Sequence, residues 1–113
     1  MAYNEVLAER IRKLLARRKG LAARKMFGGI AFMLNGNMCC GVVDDRIVLR
    51  LGKDGSDTAL KEPHIEVMDF TGRPIRSMVY LSPGGYAREA DLKQGLDRSV
   101  KFTSSLPKKE SKR

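Results

Sequence analysis

The side chains in this sequence that could carry out chemistry are few, and their spacing supports neither a catalytic site nor a metal site. His64 is the only histidine, whereas a structural zinc site takes about four Cys, His or carboxylate ligands. The pair Asp44-Asp45 lies between two apolar runs, where neighbouring acids usually form a turn. No motif places a histidine beside Ser82, Ser104 or Ser105, so nucleophilic catalysis has no support. We therefore expect no enzymatic activity, no metal and no cofactor.

The two cysteines, Cys39 and Cys40, are adjacent. In a β-strand their side chains would point to opposite faces, so we expect no disulfide between them. Free cysteine is among the most buried residue types, and we expect two reduced cysteines packed in a sheet. Tyr80 and Tyr86 could stack on a nucleic-acid base, but packing in the core or at its rim is the commoner use of tyrosine.

Positive charge is concentrated at the two ends of the chain. Residues 1–25 carry eight Lys or Arg against two Glu, residues 101–113 carry five against one, and the whole chain has a net charge of +9. Basic ends on a nearly neutral centre indicate contact with a polyanion such as nucleic acid, although they could also serve solubility alone. The candidate phosphate-binding residues are seven of the cations in the first helix and in the segment after it: Arg10, Lys13, Arg17, Arg18, Lys19, Arg24 and Lys25.

The elements that position these cations begin with an amphipathic helix over about 4–18. Its apolar residues recur at helical spacing, Asn4 is a suitable N-cap, and Gly20 is a natural stop. Arg10, Lys13 and Arg17 follow a second stripe beside the apolar one, and Glu9 is placed to pair with Lys13 in the next turn.

The rest of the chain reads as strands followed by a helix. Alternation and turn signals predict strands at about 25–34, 38–43, 46–51, 65–70 and 75–81, a short helical turn at 57–61, a helix over 88–103 and a disordered basic tail over 104–113. Strands joined in succession by short turns pair antiparallel. We therefore predict one α+β domain over 1–103, a two-layer fold with an antiparallel β-sheet of about five strands flanked by N- and C-terminal helices.

The first predicted strands are apolar on both faces. Ile30, Phe32 and Leu34 point one way, whereas Ala31 and Met33 point the other. One face meets the helices, and the other needs a cover, for which a second copy of the chain is the simplest candidate. We expect a homodimer.

Four segments resemble the TfoX (Sxy) N-terminal domain family: KMFGGIAF at 25–32, NGNMCCGV at 35–42, IVLR at 47–50 and MDFTGRP at 68–74. The most specific part is the motif formed by Met26, Phe27, Gly28 and Gly29, which we interpret as structural. Two glycines inside an apolar run are typical of a bulge or a close backbone approach. The resemblance covers about residues 5–103 and implies a small α+β domain without a catalytic motif.

The resemblance also implies a function. Full-length members regulate competence for DNA uptake with a cyclic-AMP-responsive activator at promoters, and they carry a second, helical domain; we expect a stand-alone member here. Two classes of function stay open. In the first, the domain associates with nucleic acid, through the basic helix and tail, or with a protein partner in transcription. In the second, it is a protein-interaction or dimerisation module without nucleic-acid contact. We expect a cytoplasmic protein, because the sequence has neither a membrane span nor a signal-peptide core.

Overall fold

The computed structural model describes residues 3–18, 20–26, 28–70 and 73–107, and the side chains of residues 26, 70, 73 and 74 are outside this description. In chain order the elements are α1 (Glu5–Leu15), β1 (Leu21–Met26), β2 (Gly29–Leu34), β3 (Asn37–Val43), β4 (Arg46–Arg50), α2 (Gly52–Ala59), β5 (Ile65–Phe70), β6 (Arg73–Leu81), a short 3-10 turn (Pro83–Gly85) and α3 (Glu89–Ser104). No helix in these ranges is long and apolar enough to cross a lipid bilayer.

The strands form one open antiparallel sheet in the order β1-β2-β3-β4-β6-β5. The predicted α+β class is confirmed, with six strands in the described residues where about five were expected. The difference lies in the predicted strand over 25–34, which is two strands joined by a tight turn. Met26 pairs with Gly29 across that turn, and Gly28 takes the left-handed conformation with φ of +73°, which glycine adopts without strain.

At Gly29 the backbones of two strands approach closely, which is one of the two structures expected for the paired glycines. A Cβ atom placed on Gly29 would lie 2.1 Å from the carbonyl oxygen of Val42, and one on Gly41 would lie 2.6 Å from that of Ile30. Both positions therefore require glycine so that β2 and β3 can pair.

The helices differ from the predictions mainly in α2. A short turn was expected at 57–61, but α2 begins at Gly52, where φ is +78°. Helix α1 ends at Leu15, and its predicted N-cap is confirmed, since Asn4 Oδ1 accepts a hydrogen bond from the Leu7 amide at 3.0 Å. After α3, the side-chain amide of Asn37 donates to the Pro107 carbonyl oxygen at 2.9 Å. The rest of the predicted tail, 108–113, lies outside the described residues.

The main hydrophobic core lies between the sheet and the helices. Each helix contributes to it: Leu7, Ile11 and Leu15 from α1, Ala59 from α2, and Leu92, Leu96 and Val100 from α3. These residues pack on Ile30, Phe32, Val42, Ile47 and Leu49 of the sheet. We call this the helix side of the sheet and the opposite side its open face.

Candidate functional site

Arg10, a predicted phosphate-binding residue, is used inside the domain. Its guanidinium donates to the Tyr86 carbonyl oxygen and to the Glu89 carboxylate, each at 3.2 Å, and its side chain is only 30% exposed. A second contact joins Arg18 to Asp97 at 4.0 Å. The two contacts join α1 and the residues after it to α3, and Arg10 secures the start of α3.

Lys13 and Arg17 are exposed at the end of α1. The predicted pairing of Glu9 with Lys13 is wrong, because Glu9 contacts Arg12 instead, at 3.5 Å. Sequence reasoning left Arg12 out of the candidate set. Its guanidinium lies 5.6 Å from the centre of the Phe32 ring, a cation–π distance, which no local pattern in the sequence could reveal.

Arg24 and Lys25 point to opposite sides of the edge strand β1. Arg24 pairs with Ala31 on the open face, whereas Lys25 pairs with Ile30 on the helix side; both are exposed. Lys19 and Phe27 lie outside the described residues. The predicted cations that the structure describes therefore do not form one surface: Lys13, Arg17 and Lys25 lie on the helix side or at its edge, and Arg24 lies on the open face.

The open face carries a second cluster of apolar side chains, separate from the helix-side core. Its cluster consists of strand residues alone: Ala31, Met38, Val48, Met68 and Tyr80 are buried, and Met33, Val43, Ile75 and Met78 are partly buried. Strands of a sheet with one face in water normally alternate apolar and polar residues. Here, however, β2 and most of β3 are apolar on both faces, whereas β4 alternates and places Arg46 and Arg50 on the open face.

The strand pairing defines one row of side chains that crosses the whole open face. Called the central row below, it consists of Arg24, Ala31, Gly41, Val48, Tyr80 and Glu66. The row therefore has a cation at the β1 edge, three small residues and then Tyr80 in the middle, and a carboxylate at the β5 edge.

Two arginines of β4 flank the central row. Arg46 lies 3.8 Å from the centre of the Tyr80 ring and 3.8 Å from the Glu66 carboxylate. Arg50 donates through Nη1 to the Met38 carbonyl oxygen at 3.2 Å. Tyr80 is therefore covered by Arg46 and is not presented for stacking on a base.

Tyr86 is also buried. Its hydroxyl donates to the Asp45 carbonyl oxygen at 2.6 Å, while burial and then the charge of Asp45 raise the pKa of the phenol. Tyr80 and Tyr86 are thus both packed within the domain, which is the commoner use of tyrosine, and are not available to stack on a base.

The cysteines contradict one expectation. The pairing of β2 with β3 shifts so that Phe32 faces Cys40 and Met33 faces Met38, which leaves Cys39 as a bulge residue. A bulge interrupts the alternation of side chains, and both cysteines lie in the helix-side core instead of on opposite faces. Both are free and buried. The hydrogen bond between them lowers the pKa of the Cys39 thiol and, together with burial, raises that of Cys40.

A cavity of about 290 Å³ lies between α3 and the start of β5, with His64, Glu62, Asp91 and Arg98 in its wall. Glu62 is paired with Arg98 at 3.0 Å. Within the described ranges, no group of three or more His, Cys, Asp or Glu side chains is placed to hold a metal ion. The Ser82 hydroxyl donates to the backbone carbonyl oxygen of His64 at 3.1 Å, so this contact does not place the imidazole as a base for the serine.

An antiparallel sheet with helices on one side and an apolar face on the other defines a small, open-faced α+β domain. Residues 13–103 match the family model described as the TfoX N-terminal domain, and the chain belongs to that family. No curated protein and no solved structure matched the chain.

Proposed function

We propose that this chain is a non-enzymatic regulatory domain that works in the cytoplasm by binding another protein through the open face of its sheet. The observation that carries this proposal is the apolar character of that face. Family membership supports a place in gene regulation, since the resemblance implies competence regulators that act at promoters. The proposal assigns no reaction, because the Ser82–His64 contact runs through the backbone carbonyl oxygen.

The open face has the features of a binding surface. The centre of this face is buried, and its remaining apolar surface belongs to four partly buried residues around that centre: Met33, Val43, Ile75 and Met78. Methionine adapts its shape to a partner because its side chain is unbranched and polarizable. Arginine, here Arg24 and Arg46, is also enriched at interfaces relative to the rest of the surface.

Contact with nucleic acid is the second candidate, favoured by a different observation. Lys13, Arg17 and Lys25 have no carboxylate within 4 Å in the described part of the chain. Such cations can contact phosphates, but they do not select a base sequence. Specificity would then come from the protein partner bound at the open face.

Site-specific photo-crosslinking in the native host tests the proposal. A photoreactive amino acid replaces Met33 on the open face, and in a control chain it replaces Val6, which is 74% exposed on α1. We expect a protein adduct from position 33 that survives nuclease treatment, and none from position 6. Equal labelling from both positions, or an adduct from position 33 that nuclease removes, would contradict the proposal.

A further inference from the structure

We propose that a cavity between α2 and the paired strands β5 and β6 binds a small zwitterion, an α-amino acid with an aliphatic side chain. The cavity has a volume of about 230 Å³. Drug-sized molecules occupy pockets of about 300–1,000 Å³, so this one fits a smaller ligand. The inference goes beyond the proposed function, because binding here requires no protein partner on the open face.

The walls of the cavity are mostly aliphatic. Leu60 contributes from α2, Val67 from β5, and Ile75 and Met78 from β6. Leu60 is 37% exposed and Val67 is 50% exposed, and these are two of the three large apolar residues that are exposed in the described part of the chain. A ligand with an aliphatic side chain would remove this apolar surface from water, which favours binding.

A bulge in β6 shapes one side of the cavity. Val67 pairs with Val79, but the next residue, Met68, pairs with Ile75, so residues 76–78 have no partner in β5. Bulges bend a strand and redirect its side chains, and they are common next to binding sites. Two residues of this bulge, Arg76 and Met78, line the cavity.

Ser56 provides an unused hydroxyl group at the cavity wall. The residue is only 1% exposed, and its Oγ has no hydrogen-bond partner among the residues that the structure describes. A serine within a helix usually bonds to the carbonyl four residues earlier or faces water, and Ser56 does neither. Because a buried polar group without a partner is unfavourable, a ligand that supplies the missing partner gains affinity.

Asp57 and Arg76 give the cavity one charge of each sign. Both residues line it, both are exposed, and neither has an oppositely charged group within 4 Å in the described ranges. Arg76 can bind a carboxylate through two parallel hydrogen bonds, and Asp57 can accept from an ammonium group. A simple acid would leave Asp57 without a partner and a simple amine would leave Arg76 without one, so a zwitterion is the complementary ligand.

Titration of the purified full chain with L-leucine, followed by NMR, tests the inference. We expect saturable shifts of amide signals from α2 and from residues 75–78. Isopentylamine lacks the carboxylate of leucine and 4-methylpentanoate lacks its ammonium group, and each should bind roughly tenfold more weakly or worse. Alanine has less apolar surface to bury and should also bind roughly tenfold more weakly or worse.

Variants of the cavity identify the groups that hold the ligand. Asp57→Asn and Arg76→Gln should each raise the Kd for L-leucine roughly tenfold or more. Asp54→Asn and Lys53→Gln are matched controls, because they remove the same charges from exposed positions of α2 that do not line the cavity; they should leave the Kd unchanged.

Ser56→Ala separates binding from folding. Removing a buried hydroxyl that has no partner should leave the domain as stable as the wild type or more stable, and circular dichroism during urea unfolding measures this. The same variant should raise the Kd for L-leucine roughly fivefold.

Three results would overturn the inference: no saturable response to millimolar L-leucine, equal affinity for L-leucine and its two singly charged analogues, or folded cavity variants that bind as tightly as their controls. The proposed function fails or stands on a different experiment. A chain that does not bind L-leucine but forms the nuclease-resistant adduct at position 33 rejects the amino-acid site and leaves the open face as a binding surface.

Discussion

Replacing Gly41 by alanine should destabilise the domain, because the position leaves no room for a methyl group. The added Cβ would lie 2.6 Å from the Ile30 carbonyl oxygen, closer than any ordinary carbon–oxygen contact. That oxygen belongs to the backbone of β2 and cannot rotate away, so β2 and β3 must separate locally. Overpacking costs about 1–3 kcal/mol, and a weakened ladder hydrogen bond costs about 1 kcal/mol more. Alanine recovers about 0.4–1 kcal/mol through the unfolded chain.

The net loss should be about 2 kcal/mol of a total stability of roughly 5–15 kcal/mol. Urea unfolding followed by circular dichroism measures it, and the midpoint should fall by about 1 M with an unchanged slope. Gly29→Ala should cost more than Gly41→Ala, because its Cβ would lie 2.1 Å from the Val42 carbonyl oxygen.

Gly95→Ala in α3 is the matched control. Its Cβ would lie 3.4 Å from the flexible ends of Leu49 and Leu81, which is ordinary contact. Alanine favours helix by up to about 1 kcal/mol over glycine, so this variant should be as stable as the wild type or more so. A Gly41→Ala variant within about 0.5 kcal/mol of wild type, or one more stable than Gly95→Ala, would refute the steric reasoning.

Three further predictions concern charge, pH and thiol chemistry. If Lys13, Arg17 and Lys25 each neutralise one phosphate, changing all three to Gln should make the slope of log K for DNA binding against log salt concentration less steep by about 2.7. Wild-type DNA binding that does not depend on salt concentration would exclude phosphate contacts by these three residues. Because the pKa of Tyr86 is raised above 10.0, the phenol contributes its full stability below about pH 10 and loses it as the pH rises through its folded-state pKa. The free energy of unfolding of Tyr86→Phe should therefore fall less steeply above pH 10 than that of the wild type, and equal slopes would contradict the assignment. Cys39 and Cys40 are buried, so a thiol reagent should label them only as fast as the domain opens, and rapid labelling under native conditions would show that the packing is different.

The sequence predicted the elements whose signals are local. Helix α1 has a capping asparagine and a continuous apolar stripe, and its N-cap was predicted correctly. Helix α3 and the strands β5 and β6 also lie within two residues of their predicted bounds, because apolar periodicity and turn residues mark them.

The errors have physical causes. The sequence between β1 and β2 has none of the usual two-residue hairpin pairs, so the apolar run around Gly28 reads as one strand. Helix α2 contains two glycines and buries only Gly52, Ser56 and Ala59, too few apolar residues for a periodic pattern.

The candidate site depends on long-range contacts that no local pattern contains. Arg10 meets Glu89 across most of the chain, and its position in the sequence does not indicate this contact. The central row is visible only once the register of every strand pair is known. The bulge at Cys39 likewise appears only in the pairing of β2 with β3.

The central claim is that the open face is covered by a partner, and oxidative footprinting of its methionines tests this most directly. Met33 and Met78 are partly buried in the single chain, whereas Met68 is buried there and serves as the internal reference. We predict that oxidation of Met33 and Met78 slows relative to Met68 as the protein concentration rises from low to high micromolar, or when host extract is added. Oxidation rates that stay the same under all of these conditions would contradict the account.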